Sequence, residues 1–137
     1  SAVISKNKKY RYELSRIWSE SPKITFIMLN PSVANETYDD KTIKRLIFFT
    51  KKFGYGGFYV GNIFPNINTK VNDLYLDLSH DKKKNRKHVS SMIYNSESVF
   101  YAWSKLSIKL QIGLIKLYTN PCVLVSIKME LLSILYT

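Results

Sequence analysis

The chain has 137 residues, enough for one domain with a buried core, and 45% of them are hydrophobic. No apolar run reaches the roughly 18 residues that a membrane-spanning helix needs, and the single cysteine, Cys122, excludes an internal disulfide or a cluster of thiolate metal ligands. Lys and Arg outnumber Asp and Glu by 21 to 10, which gives a formal net charge of +11. From the length, the short apolar runs and the single cysteine, we expect a monomeric cytoplasmic protein that needs no membrane, metal or cofactor.

The positive charge also indicates the class of partner. A field of this sign attracts polyanions, either nucleic acid or an acidic protein surface with a similar charge pattern. The alternative is that the Lys-rich, Asn-rich and Ile-rich composition reflects an AT-rich genome.

The sequence of the first half of the chain predicts two strands, then a helix, then a third strand. "KYRYELSRIW" (Lys9–Trp18) alternates as an edge strand does. "KITFIML" (Lys23–Leu29) is a continuous apolar run, as expected of a parallel strand buried on both faces. Asp39–Phe53 has a helical apolar stripe and is followed by three glycines, and Gly57–Phe64 is the next buried strand.

The second half continues the alternation after a long irregular loop at Asn66–His80. Asp81–Asn95 is predicted to be a basic helix, Ser98–Trp103 a strand, Lys105–Tyr118 a helix and Pro121–Ile127 a strand. Helices that alternate with strands indicate an α/β protein. We expect a single-domain three-layer sandwich around a mainly parallel four-stranded sheet.

Two asparagines fall where two predicted core strands end. Asn30 follows the first of them and Asn62 lies near the end of the second. Ligands of open α/β sheets bind beyond the carboxyl ends of the strands, and an amide offers both a donor and an acceptor to a base edge. The alternative is that asparagine simply ends strands well.

The chain contains three recognisable motifs, "FIMLNPSVANETYDDKTIKR", "FGYGGFYVGNIF" and "NRKHV". With these motifs the segment from Lys9 to Trp103 resembles a bacterial family of unknown function whose genes travel with mobile cassettes. The first motif corresponds to a Leu-Asn-Pro-Ser-x-Ala…Asp-Asp-x-Thr-Ile block in that family.

More remotely, the layout is similar to the uracil-DNA glycosylase superfamily, which implies its α/β sandwich fold. That resemblance places Asn30 at a water-positioning site and Asn62 at the residue that reads the uracil edge. Pro31, Ser32 and Phe64 would complete the base pocket. Asn30 cannot be a general base, because a neutral amide can only orient water. Ser32 stands where uracil-specific enzymes carry a tyrosine that rejects thymine, so that selectivity device is absent.

Two further groups of charged residues have alternative interpretations. Asp39 and Asp40 could place charge near the pocket, or they could cap the helix that follows. The basic helix could contact a polyanion, or it could simply be solvated, as His88 on the same helix would be. The basic residues in question are Lys82, Lys83, Lys84, Arg86 and Lys87.

The chain departs from both resemblances near its end. Glycosylases of this superfamily use a late His-Pro loop, and here no histidine follows His88. A synonymous back-translation of the segment from Cys122, read in another frame, gives CFGINKNGTPKHPLY, which matches the ending of the family. Our hypothesis is that residues 121–137 are a frameshifted tail, which the gene sequence can test.

The missing loop leads us to expect a pseudo-glycosylase whose basic groove binds DNA or an acidic DNA-mimicking protein, such as a uracil-DNA glycosylase inhibitor. One alternative is an active base glycosylase or nucleotide N-glycosidic hydrolase that uses Asn30 with Asp39 or Asp40. The other alternative is an interaction module in which the groove has no function.

Overall fold

The structure is a computed structural model that describes residues 1–74 and 82–102. Its strands are β1 (Ala2–Ile4), β2 (Arg11–Ile17), β3 (Ile24–Met28), β4 (Gly57–Asn62) and β5 (Ser98–Ala102). Its helices are α1 (Lys41–Lys52), the short α2 (Val71–Leu74) and α3 (Lys82–Tyr94). None of these helices is long and apolar enough to cross a bilayer.

The strands form a mixed five-stranded sheet in the order β1-β2-β4-β3-β5. β3 pairs in parallel with β4 on one side and with β5 on the other, as expected for the apolar runs of the core. β2 is antiparallel to β4, and β1 is antiparallel to β2. The expected four-stranded, mainly parallel sheet is thus corrected: within residues 1–74 and 82–102 the sheet has five strands and is mixed. The predicted edge strand Lys9–Trp18 lies inside the sheet, because Ala2–Ile4 pairs along its outer side.

α1 begins and ends where its sequence signals place it. The Asp40 side chain accepts a hydrogen bond from the Ile43 backbone N–H at 2.9 Å and so caps the first turn. Lys51 and Lys52 occupy the last turn, where positive charge suits the helix dipole. Gly54 then adopts a left-handed conformation with φ of 81°, which ends the helix at low cost.

The two long helices cover opposite faces of the sheet, as the alternation of side chains along β3 requires. Phe26 faces α1 and packs in a cluster with Leu46 and Phe58, whereas Ile27 faces α3 and packs with Val89. The described residues thus form three layers, helix on sheet on helix.

The close approach of α3 to β4 depends on Gly61. A Cβ atom at this position would lie 2.8 Å from the Met92 side chain and 3.2 Å from that of Val89. Since Gly61 directly precedes Asn62, the same close packing fixes α3 beside the end of β4.

The region after β4 differs in one respect from expectation, because the predicted loop Asn66–His80 contains α2. The predicted helix Lys105–Tyr118, the predicted strand Pro121–Ile127 and the tail 121–137 lie outside the described residues.

Candidate functional site

The carboxyl ends of β3 and β4 lie side by side. Met28 is paired with Asn62 in the parallel register, and the pairing continues past the strands. The Ile63 N–H donates to the Met28 carbonyl at 3.0 Å, and the Phe64 N–H donates to the Leu29 carbonyl at 2.9 Å. The two predicted site asparagines therefore sit at one edge of the sheet, on neighbouring strands.

Asn30 is bound to the protein itself. Its side-chain Nδ2 donates to the Thr69 carbonyl at 3.0 Å and to the Asn66 carbonyl at 3.3 Å. The backbone N–H of Asn68 donates to the Pro31 carbonyl at 2.8 Å, so the turn and the loop after β4 hold each other in place. Within the described residues Asn30 Oδ1 accepts no hydrogen bond and is the atom left for a water.

Asn62 presents the opposite case. The residue is 1% exposed, and neither Nδ2 nor Oδ1 has a hydrogen-bond partner in the part of the chain that the structure describes. A buried polar group without a partner costs about 1–3 kcal/mol, and such groups are uncommon in native proteins. A site that retains one at a strand end is a candidate for ligand binding.

Asn85, in the first turn of α3, joins the basic helix to the end of β4. Its Nδ2 donates to the carbonyls of Asn62 at 2.9 Å and Ile63 at 3.2 Å. The residue is 1% exposed, and its Oδ1 has no partner among residues 1–74 and 82–102. Asn85 therefore brings a second buried carboxamide to the same strand end.

The predicted polyanion-binding residues surround this attachment point. Because Asn85 contacts the end of β4, the first two turns of α3 lie at the carboxyl edge of the sheet. Lys84 lies over the ring of Tyr12, with its Nζ 4.9 Å from the ring centroid. The exposed basic side chains in these turns are Lys82, Lys83, Lys84, Arg86 and Lys87.

His88 is not simply solvated, contrary to the sequence interpretation. Its Nδ1 lies 2.5 Å from the Glu13 carboxylate, and its side chain is 24% exposed. The ring stacks on Tyr12, with ring centroids 5.2 Å apart and an interplanar angle of 15°. The physical reason is the position of His88, one turn beyond Asn85 on the helix face that packs against the sheet.

Asp39 and Asp40 both have partners in the fold. Asp39 accepts a hydrogen bond from Arg16 Nε at 2.8 Å and forms an ion pair with the same guanidinium. Asp40 caps α1. Neither contact brings a carboxylate to Asn30 or Asn62.

Arg11 is a buried cation close to these acids. Its guanidinium donates to the Ala34 carbonyl at 2.7 Å, and the residue is 3% exposed. Burial lowers the pKa of Arg11 to about 10, and the charge of Asp40 opposes that shift. These contacts tie the loop after β3 to β2.

The remaining predicted pocket residues divide between two places. Phe64 packs against the α3 side of the core, and Pro31 is buried in the turn. Ser32 is exposed and lines a separate open cleft of about 550 Å³, whose walls include Lys6, Lys8 and Glu36. Neither Asn30 nor Asn62 lines this cleft. Among the described residues, no group of His, Cys, Asp and Glu side chains could hold a metal ion.

Sequence reasoning missed Asn85, although a signal was present. Asn85 interrupts a run of basic residues and shares a helical spacing with Val89, Met92 and Ile93, all of which are buried. A polar residue on the apolar stripe of a helix indicates a buried contact. By contrast, no pattern in the sequence pairs His88 with Glu13, which lies 75 positions away.

The fold and this edge define an α/β protein with a mixed sheet and a polar strand-end site. Residues 11–113 match the family model described as "Protein of unknown function (DUF1643)". The chain therefore belongs to this family. Comparison with curated proteins and with solved structures gave no match.

Proposed function

We propose that this chain is a uracil-DNA-glycosylase-like protein that binds DNA, or an acidic protein that mimics DNA, without excising bases efficiently. The observation that carries the proposal is the position of Asn85, which attaches a lysine-rich helix start to the strand end where Asn62 is buried without a partner. A polyanion contact and a polar recognition group then lie at one edge.

The electrostatics support a phosphate-binding surface. The first turns of α3 combine exposed cations with the positive end of a helix dipole. Phosphate contacts of this kind position a partner, while side chains such as Asn62 add recognition of a base.

The hydrogen bonds and ion pairs of the nearby side chains favour a protein that does not excise bases efficiently. The Asn30 Nδ2 is bound to backbone carbonyls, and Asp39 and Asp40 are engaged by Arg16 and the start of α1. An active glycosylase or N-glycosidic hydrolase is the second candidate. It is favoured by one observation, the Asn30 Oδ1 that accepts no hydrogen bond from the described residues and could orient a water.

Salt-dependent binding to duplex DNA tests the polyanion surface. The double variant Lys83→Gln/Lys87→Gln should reduce the slope of log affinity against log salt by about 1–2, since each lost phosphate contact accounts for roughly 0.9. The matched control is Lys51→Gln/Lys52→Gln, which removes the same charge from the last turn of α1 and should leave the slope unchanged. Equal slopes for both variants would contradict the proposed surface.

Excision is tested separately with a uracil-containing duplex. We expect no strand scission after alkali treatment. Scission that disappears in Asn30→Ala would establish the active enzyme instead. Competition between duplex DNA and an acidic glycosylase-inhibitor protein for the same lysines would identify which polyanion binds more tightly.

A further inference from the structure

The open cleft that Ser32 lines combines charged and apolar side chains. Its volume of about 550 Å³ lies within the range of about 300–1,000 Å³ that small-molecule sites occupy. One wall consists of β1 and the turn that follows it, and the other is the loop between β3 and α1. Because the cleft shares no residue with α3, an inference about it goes beyond the proposed function and does not depend on it.

Hydrogen bonds hold the turn after β1 in place. The Lys8 N–H donates to the Ser5 carbonyl at 2.9 Å, and the Ser5 N–H donates to the Tyr10 carbonyl at 2.8 Å. The Asn7 side chain accepts a further hydrogen bond from the Lys9 backbone N–H at 3.1 Å. This wall of the cleft is therefore fixed by the turn itself.

The opposite wall is tied to β2. Arg11 donates to the Ala34 carbonyl at 2.7 Å, and Arg16 Nη2 donates to the Asn35 carbonyl at 2.6 Å. The Asn35 side chain also accepts from the Tyr38 backbone N–H at 2.9 Å. Both walls are thus held by contacts within the protein, and the cleft is formed before any ligand binds, as small-molecule sites usually are.

Lys8 has a backbone conformation that favours another residue type. Its φ is 60°, in the left-handed region where glycine is favoured because it has no Cβ atom. A lysine at this position destabilises the turn relative to glycine, and backbone strain of this kind is common at functional sites. Since the Lys8 side chain lines the cleft, the strain indicates a residue that serves binding rather than folding.

The charged side chains of the cleft are Lys6, Lys8 and Glu36, and all three are exposed. Within residues 1–74 and 82–102, no ion pair joins Glu36 to either lysine. A phosphate monoester carries a charge of about −1.5 to −2 at pH 7, which two lysines can neutralise. A carboxylate only accepts hydrogen bonds, so it suits the hydroxyl groups of a ribose. The three charges therefore fit a sugar phosphate.

We propose that this cleft binds a ribonucleoside monophosphate. Lys6 and Lys8 bind its phosphate, and Glu36 accepts hydrogen bonds from its ribose hydroxyls. Ile4 and Val33, which are 36% and 50% exposed, provide apolar surface for the base. A free nucleotide and the 5′-phosphate end of an RNA strand share this chemistry.

The test is isothermal titration calorimetry of the full chain with adenosine 5′-monophosphate (AMP), its 2′-deoxy form and adenosine. AMP should bind roughly tenfold more tightly than adenosine, which lacks the phosphate, and more tightly than the 2′-deoxy form, which lacks one hydroxyl. A 5′-phosphorylated RNA tetranucleotide that binds more tightly than both AMP and its own 5′-hydroxyl form would identify a strand end as the source. The reverse order would identify the free nucleotide.

Three variants assign the contacts. Lys6→Gln/Lys8→Gln should lower the affinity for AMP roughly tenfold and leave that for adenosine unchanged. The matched control Lys51→Gln/Lys52→Gln removes the same charge at the end of α1 and should leave both affinities unchanged. Glu36→Gln should bring AMP and its 2′-deoxy form to equal affinity.

Lys8→Gly separates binding from folding. Glycine relieves the left-handed φ, so the melting temperature should rise while the affinity for AMP falls. A lower melting temperature with unchanged affinity would show that Lys8 serves the fold and would contradict its place in the site.

Two results would overturn the proposal. Equal binding of AMP and adenosine, or no binding of AMP at millimolar concentration, would exclude a phosphate site in this cleft. An equal loss of AMP affinity in the Lys51→Gln/Lys52→Gln control would show that net charge, rather than the cleft, attracts the nucleotide. None of these results bears on duplex binding by the lysines of α3, so a failure here is distinct from a failure of the proposed function.

Discussion

Two neighbouring strand ends, those of β3 and β4, carry the same residue type in very different surroundings. Asn30, after β3, donates hydrogen bonds to the carbonyls of Thr69 and Asn66. Asn62, at the end of β4, is more deeply buried and has no partner among the described residues. The Asn30 amide contributes to the fold, whereas no described residue offsets the free-energy cost of burying the Asn62 amide.

The difference shows that position at a strand end does not by itself define a functional residue. The backbone around Asn30 offers carbonyls that its amide can reach, because the loop after β4 folds back over the turn. The backbone around Asn62 is used by Asn85 instead. We therefore expect stability to depend on Asn30 and binding to depend on Asn62.

The largest expected effect on stability is at Asn30. Asn30→Leu should lower the free energy of unfolding by about 2 kcal/mol, because it removes the hydrogen bonds that Nδ2 donates to the carbonyls of Thr69 and Asn66. Urea denaturation measures the change. A loss below about 0.5 kcal/mol would show that these hydrogen bonds contribute little.

The next largest effect on the free energy of unfolding is expected at Asp40, whose side chain also contributes to the fold. Asp40→Ala removes the cap of α1 and should cost about 1 kcal/mol. Asp40→Asn is the matched control, because an asparagine side chain also caps helices and should retain most of the stability. Equal destabilisation by both substitutions would indicate that the charge, rather than the cap, matters at this position.

Asn62→Leu tests the same comparison at the end of β4, where we expect no loss of stability. The change replaces a buried amide without partners by an apolar group of similar size, so the free energy of unfolding should stay within about 0.5 kcal/mol or rise. The same denaturation experiment measures it beside Asn30→Leu. If Asn62→Leu destabilised the chain as much as Asn30→Leu, the two strand ends would not differ as described.

The smallest expected effect on stability concerns Tyr101 in β5, the third parallel strand of this sheet. Burial raises the pKa of Tyr101 to about 12. Between pH 10 and pH 12 the unfolded chain loses this proton while the folded chain keeps it, so stability falls as the pH rises. Tyr101→Phe should show a flatter dependence of stability on pH in that window. Identical slopes for the two proteins would mean that Tyr101 is not protected from ionisation.

Much of this architecture follows from local patterns. The apolar run at Lys23–Leu29 predicts the central strand β3, and Asp40 with the glycines after Phe53 predicts the limits of α1. The placement of Asn30 and Asn62 at adjacent strand ends also follows from the alternation of strands and helices. Each of these signals lies within a few residues of the feature that it predicts.

The parts that could not be predicted depend on contacts between distant residues. β1 has only three residues and becomes a strand because β2 offers it a partner. The pairing of His88 with Glu13 and the contact from Asn85 to Asn62 arise from the packing of α3 on the sheet.

The most direct test of the central claim measures thermal unfolding of the wild type and of Asn62→Leu, each with and without an excess of duplex DNA. A ligand that binds only the folded state raises the melting temperature in proportion to its affinity. We predict that Asn62→Leu alone melts at or above the wild-type temperature and gains less from the duplex. A variant that melts lower than the wild type and gains the same increment would contradict the assignment of Asn62 to binding.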